Sequence, residues 1–242
     1  MFTKNHIKLD AINSTNEYAL SLKETPAFKE GLVVTASYQS GGNGQRGKTW
    51  ESIANENLLL SVVIEPNINI NKQSEISKIV ALSVCDLLTD LGLKPKIKWP
   101  NDILVTKQKI AGILIQNKLQ GNYISHSVIG IGLNVNQMIF EDYLLKATSL
   151  KLKLNITFDI DNIQVIFLEF LSKRLQEFEG GIKLEEAYLE ALFLKDKPAV
   201  FESGNQQFMG IIKGVTQSGK LIIQKEDDSI AEFENQQVKY LF

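Results

Sequence analysis

Residues 94–136 read KPKIKWPNDILVTKQKIAGILIQNKLQGNYISHSVIGIGLNVN. Four β-prone runs, KPKIKW, ILVT, KIAGILIQNKL and YISHSVIGIGLNVN, are separated only by PND, KQ and QGN. Branched and aromatic residues bounded by turn formers suit strands. A parallel crossover needs about a dozen residues or more, so turns this short predict antiparallel neighbours. Upstream, HIKLDAI, GLVVTASY and LLLSVVIEP read as further strands, and Ser14-Thr15-Asn16-Glu17 has the S-x-x-E spacing of a capping box opening a short helix. Residues 74–91 carry Ile76, Ile79, Val80, Val84, Leu87, Leu88 and Leu91 at helical spacing, with Ser74 as the expected cap and Gly92 as the stop. Helices are expected again over 161–179 and 183–194. After KDKP come short strands with Gly, Asn and Asp turns, the pattern of a small SH3-like barrel. The fold class is therefore α+β: a mixed, largely antiparallel central sheet flanked by helices, plus that small C-terminal barrel.

At 242 residues, 44% apolar and 22% charged, the chain has the composition of a soluble globular protein with a proper core. It divides into a large unit, residues 1–195, and the barrel, residues 196–242. A net charge of −2 lacks the broad basic footprint of a nucleic-acid binder. The single cysteine, Cys85, falls in the 74–91 helix and is expected in the core. The N-terminus lacks a signal-peptide layout, and no apolar run approaches the ~18 residues of a membrane span, so a cytoplasmic protein is expected. His6 and His126 have no catalytic setting and read as structural or surface residues.

Gly42–Thr49, GNGQRGKT, satisfies the phosphate-loop pattern G-x-x-x-x-G-K-[ST]. Such a loop works by aiming a following helix N-terminus at the phosphates. Here only polar, Asn-rich residues separate it from the next strand, so the pattern lacks its context. The loop keeps chemical content of another kind. Its glycines permit close backbone approach to a ligand, Arg46 and Lys48 are cationic, and Trp50 offers a flat face.

Taken in order, Ser14-Thr15-Asn16, the glycine loop, Lys98-Trp99-Pro100-Asn101-Asp102, Lys109-Ile110-Ala111-Gly112-Ile113-Leu114 and Gly130-Ile131-Gly132-Leu133-Asn134-Val135 closely resemble the biotin protein ligases, over nearly the whole chain. The resemblance implies a class II synthetase-like catalytic domain that activates biotin with ATP to biotinyl-5'-AMP. It implies onward transfer to a lysine of a biotin carboxyl carrier domain, with Mg2+ required. By the same resemblance, Lys109 contacts biotin's carboxyl group and the phosphate bridge. Ser14, Thr15, Asn16, Gln39 and Gly112, with the loop segment Asn43, Gly44 and Gln45, surround biotin. Arg46, Lys48, Trp50, Lys98, Asn101 and Asn134 face the nucleotide, with Arg46 counted as catalytic beside Lys109 and Asp102. Asp102 either holds magnesium or receives the acceptor lysine's proton; both remain open.

The family commonly writes its loop GRGRxGR, whereas this chain has Asn43, Gln45 and Lys48 at arginine positions and retains Arg46. Lysine lacks arginine's bidentate fork, and the amides carry no charge, so weaker retention of the adenylate is expected. The first site motif comes at residue 14, so ligation without operator binding is expected; monomer and homodimer stay open. Three other readings compete: a catalytically weak biotin- or adenylate-binding protein, favoured by the diluted loop charge; a lipoate-type ligase; and a carrier- or scaffold-binding module using the terminal barrel alone, which would leave the N-terminal motifs unexplained.

Overall fold

The computed structural model describes residues 2, 5–42, 44, 49–141 and 146–241. The chain opens with β1 (Asn5–Ile12), α1 (Thr15–Ser21), β2 (Leu32–Gln39), β3 (Asn57–Ile64) and a two-residue β4 (Ile68–Asn69). A 3-10 turn at Ile70–Lys72 leads into α2 (Gln73–Asp90), then β5 (Pro95–Lys98), β6 (Asp102–Val105), β7 (Gln108–Gln120) and β8 (Tyr123–Asn134). Three helices follow, α3 (Leu150–Leu154), α4 (Ile160–Glu179) and α5 (Glu185–Ala191). The tail forms β9 (Pro198–Ser203), β10 (Gln206–Val215), β11 (Leu221–Lys225), β12 (Ile230–Phe233) and β13 (Lys239–Leu241).

The central sheet has the order β1-β2-β3-β8-β7-β6-β5, with β4 on β8. Its one parallel pair among the described residues is β1·β2, bridged by α1; the other neighbours are antiparallel. Strand alternation sorts the two faces. Leu58, Leu60, Val62 and Ile64 of β3 join Ile129, Ile131 and Leu133 of β8 in the main core, with Val80, Val84 and Leu88 of α2 and Phe167 and Leu171 of α4. The opposite face carries a smaller cluster in which Ala19 of α1 meets Val34, Val63 and Val128. β3 is buried along its whole length because both of its faces are covered, so its sequence shows an apolar run rather than alternation.

The C-terminal strands form an antiparallel sheet of order β12-β11-β10-β9-β13. Phe201, Ile212, Leu221 and Ile223 from it belong to the same contiguous apolar cluster as the main core. Two side-chain bonds also tie it to the first sheet's elements. Ser74 Oγ donates to Gln217 O at 2.7 Å, and the Trp99 indole donates to Gly219 O at 2.9 Å. The helix start corrects the capping expectation: α2 begins at Gln73, two residues before the start a Ser74 cap implies, with Lys72 at the cap position and no side-chain cap bond. Gly92 does end the helix, at φ +82°, a left-handed position that glycine takes without strain. Cys85 is buried in α2, and burial pushes its thiol up to about 12, so the thiol stays protonated and inert. No described helix is long and apolar enough to cross a membrane.

Candidate active site

On the face opposite the main core, α1 covers only part of the sheet. The remainder floors a cleft of about 1130 Å³, whose walls come from the start of α1, the base of the glycine loop, the WPND corner and β13.

One end is neutral and closely hydrogen-bonded. Ser14 caps α1, accepting from Glu17 N at 3.5 Å, which places Thr15 and Asn16 in the first turn with both side chains buried. Gln39, at the end of β2, accepts through Oε1 from Thr15 N at 2.7 Å and from Thr15 Oγ1 at 2.9 Å. Asn16 Nδ2 donates to Leu114 O at 3.2 Å and to Gln116 Oε1 at 2.9 Å. A hydroxyl from β3, Ser61 Oγ, reaches Thr15 Oγ1 at 2.8 Å and Asn16 Oδ1 at 2.6 Å.

The floor is made of glycine. Gly112 of β7 pairs with Gly132 of β8, and Gly130 sits opposite Leu114. Where a Cβ of Gly132 would stand, the Trp50 ring comes to 2.3 Å, and at Gly112 the same ring comes to 2.9 Å. Any side chain at Gly132 would therefore displace the indole. Trp50 N donates to Gly42 O at 2.7 Å, closing the loop at its base. Residues 50–56 contain no helix and β3 begins at Asn57, so the helix that a phosphate loop requires does not follow Thr49. Trp50 Nε1 is buried with no hydrogen-bond partner among the described residues.

The far end is charged. Asp102 Oδ1 lies 2.6 Å from Lys109 Nζ, and Asp102 Oδ2 lies 3.5 Å from Lys98 Nζ. Each ammonium also stands over an aromatic ring: Lys109 is 5.3 Å from the Trp50 centroid and Lys98 is 5.1 Å from that of Tyr240 on β13. Burial, with Tyr188 and Asp102 nearby, holds the Tyr240 hydroxyl above the usual phenol range. The position of Lys109 depends on an irregularity. Between β6 and β7, Ile103 pairs with Ala111 but Leu104 pairs with Lys109, leaving Ile110 as an extra residue. Ile110 and Ala111 both enter the core. With strict alternation Lys109 would share the core face of Ala111 and Ile113; the bulge returns it to the face of Gly112 and Asp102. Its backbone then pairs with 146–148, through Lys109 N to Lys146 O at 2.9 Å and Thr148 N to Lys109 O at 2.8 Å.

A family model for the biotin/lipoate A/B protein ligases matches residues 9–134, more than half of the chain and all of this cleft's sheet floor. The chain belongs to the biotin/lipoate A/B protein ligase family. It is 33% identical over 129 residues to the bifunctional ligase/repressor BirA of Bacillus spizizenii, a match covering 53% of this chain and 39% of that protein. The chain thus spans about two fifths of that curated relative's length. Against the biotin--[acetyl-CoA-carboxylase] ligase of Paracoccus denitrificans it is 27% identical over 225 residues, 87% of this chain and 90% of that one. The structure of the Aquifex aeolicus biotin protein ligase in complex with biotin and ATP matches with a TM-score of 0.79 at 24% identity, covering 99% of both chains, and shows the same fold.

Of the residues that the sequence nominated in this member of the ligase family, Ser14, Thr15, Asn16, Gln39, Gly44, Trp50, Lys98, Asn101, Asp102, Lys109, Gly112 and Asn134 all line the one cleft. Asn43, Gln45, Arg46 and Lys48 lie outside the described residues. Asn101 is bound to strand β7, with its Nδ2 donating to Ile113 O at 2.9 Å and its O accepting from Ile113 N at 3.0 Å. Asn134 Nδ2 donates to Thr148 O at 2.9 Å. Ser61, Gln116, Gly130, Gly132 and Tyr240 were missed. The two glycines stood inside the GIGLN motif, whereas a serine in an apolar run and a tyrosine two residues before the last carried no signal. No group of three His, Cys, Asp or Glu side chains suited to a metal occurs among the described residues. Of the two described carboxylates that line the cleft, Asp102 and Glu51, Asp102 is already paired with two ammoniums, and two carboxylates without a third ligand of this kind do not make a resident magnesium cage.

Proposed function

We propose that this chain is a biotin protein ligase. It joins the carboxylate of biotin to the α-phosphate of ATP with release of pyrophosphate. It then transfers the biotinyl group from the adenylate to a lysine of a biotin carboxyl carrier domain, with release of AMP. The supporting observation is a single cleft with a neutral hydrogen-bonding end and a two-lysine end on either side of a glycine floor. An elongated acid with a polar head fits between them, its carboxylate beside the cations where a polyanion also has to sit.

The first step brings an anion against a polyanion, so the site must supply positive charge where negative charge accumulates. Lys109 lies nearest the floor and neutralises the attacking carboxylate and the bridging oxygen; Lys98 takes the phosphate side. Magnesium enters as the counterion of the triphosphate, as part of the nucleotide substrate. As phosphate oxygens take the ammoniums, Asp102 loses its partners and becomes the base that accepts the proton of the incoming carrier amine. That amine then attacks the acyl carbon, and the acyl–phosphate bond breaks with AMP as leaving group. Asn134 and Trp50 border the nucleotide. Residues 1–195 carry the chemistry, while residues 196–242 supply a wall of the cleft through β13.

A lipoate ligase would share the family but needs a different head pocket. A dithiolane has no hydrogen-bonding groups, and polar pocket atoms facing it would be left desolvated and unpaired. The Ser14, Thr15 and Gln39 end suits a ureido ring instead. The test is incubation with ATP, magnesium and a carrier domain plus either biotin or lipoate. Biotin transfer to the carrier lysine, abolished by Lys109→Ala, is expected; transfer of lipoate alone would overturn the reading.

A further inference from the structure

We propose that Ser61 and Gly130 form a socket that holds the Asn16 amide as a positioning group, so that the Gln39 amide nitrogen and the Ser14 hydroxyl are what the head of the ligand meets. This rests on the biotin ligase reading and deepens it.

The starting point is an anomaly in β3. The strand NLLLSVVI is buried throughout, and Ser61, at 0% exposure, is a hydroxyl in an otherwise aliphatic centre. A buried hydroxyl costs stability unless it is paired, and among the described residues the side-chain partners of Ser61 are Thr15 and Asn16, on the cleft face. Its neighbour in the β3–β8 register is Gly130. A Cβ on Gly130 would stand 2.4 Å from Asn16 Oδ1, so the missing side chain is the space the Asn16 amide fills.

Backbone groups fix both amide orientations. Leu114 O can only accept, so the Asn16 atom at 3.2 Å is nitrogen; that nitrogen's second hydrogen goes to Gln116. The single hydrogen of Ser61 Oγ is shared between Asn16 Oδ1 at 2.6 Å and Thr15 Oγ1 at 2.8 Å. With both amide hydrogens used and its oxygen engaged, Asn16 serves the fold around it. Thr15 N–H can only donate, so the Gln39 atom at 2.7 Å is oxygen, and that oxygen also takes the Thr15 hydroxyl. Gln39 therefore turns its NH2 away from Thr15 and towards the Gly42 stem at the cleft wall, where a Cβ on Gly42 would stand 3.0 Å from Nε2. A donor there, together with the Ser14 hydroxyl, selects a ligand head that carries a carbonyl acceptor. Through Thr15, the Ser61 hydroxyl sets that orientation without touching the ligand.

The test is biotin-dependent exchange of labelled pyrophosphate into ATP by the full chain, with KM for biotin and for ATP measured separately. Ser61→Ala is expected to raise the biotin KM about tenfold or more, with the ATP KM unchanged within twofold. Ser61→Cys, which keeps a weak donor of similar size, should fall between Ser61→Ala and the parent. The Ser61→Ala effect should vanish in a Thr15→Val/Asn16→Ala background, because the hydroxyl acts through those two side chains. If Ser61→Ala fails to fold, Ser61→Cys and Gly130→Ala carry the same expectation for biotin alone. An unchanged biotin KM, or biotin and ATP KM rising together, overturns the socket while leaving the ligase reading intact. Absence of exchange in the parent chain overturns both.

Discussion

The two ends of the cleft hold their polar groups by different means. At the Ser14 end, Thr15, Asn16 and Gln39 are pinned to backbone atoms and to a buried hydroxyl, so their geometry is set before any ligand arrives. At the Lys109 end, two ammoniums and one carboxylate hold one another, with aromatic rings beneath the cations. The first arrangement recognises shape, because moving any atom leaves another unpaired. The second is exchangeable: in the proposed reaction an incoming phosphate takes the two lysines over from Asp102 and leaves the carboxylate unpaired. A ligase that must bind one small acid faithfully and then handle changing phosphate charge has use for both.

Removing the exchangeable charge should have the largest effect. Lys109→Ala is expected to slow biotin-dependent pyrophosphate exchange by about 10²–10³-fold, the scale of deleting one preorganised charge-stabilising donor. Saturating-substrate kinetics check this, and a loss under tenfold would place the charge burden elsewhere. Next comes the floor between the ends. Gly132→Ala would press a methyl group into the Trp50 ring at 2.3 Å, costing about 1–3 kcal/mol by overpacking. Trp50 emission should shift and affinity should fall for both substrates; loss for only one would show that the ends do not share this floor. Asp102→Asn should separate the two roles of the carboxylate. The nucleotide KM should drop several-fold as the lysines lose their competitor, with the gain shrinking at high salt, while transfer to the carrier slows. The smallest expected change is at the barrel. Tyr240→Leu removes the ring under Lys98, worth about 0.5–1 kcal/mol, so the ATP KM should rise two- to fivefold with the biotin KM unaffected. Tyr240→Phe should change neither.

The sequence made the strands visible because short turns and branched residues are local signals, and KWPND, KIAGIL and GIGLN announced the site together. Three determinants had no such signal. The bulge at Ile110 is a matter of pairing count between β6 and β7, and KIAGIL reads identically with or without it. Ser61 sits in a run that any pattern reading scores as plain core. Tyr240 and the Trp99–Gly219 bond depend on how the C-terminal sheet docks, a long-range contact that a linear reading cannot supply. Ser74 does not cap because α2 already begins at Gln73, which puts its hydroxyl inside the first turn, where it donates to Gln217 O of the docked C-terminal sheet.

The bond from Trp50 N to Gly42 O joins the two stems of the glycine loop below its variable residues. The clasp ties the residue that follows β2 by three positions to the aromatic that covers the glycine floor, so the end of β2 and the Trp50 ring are held in one frame.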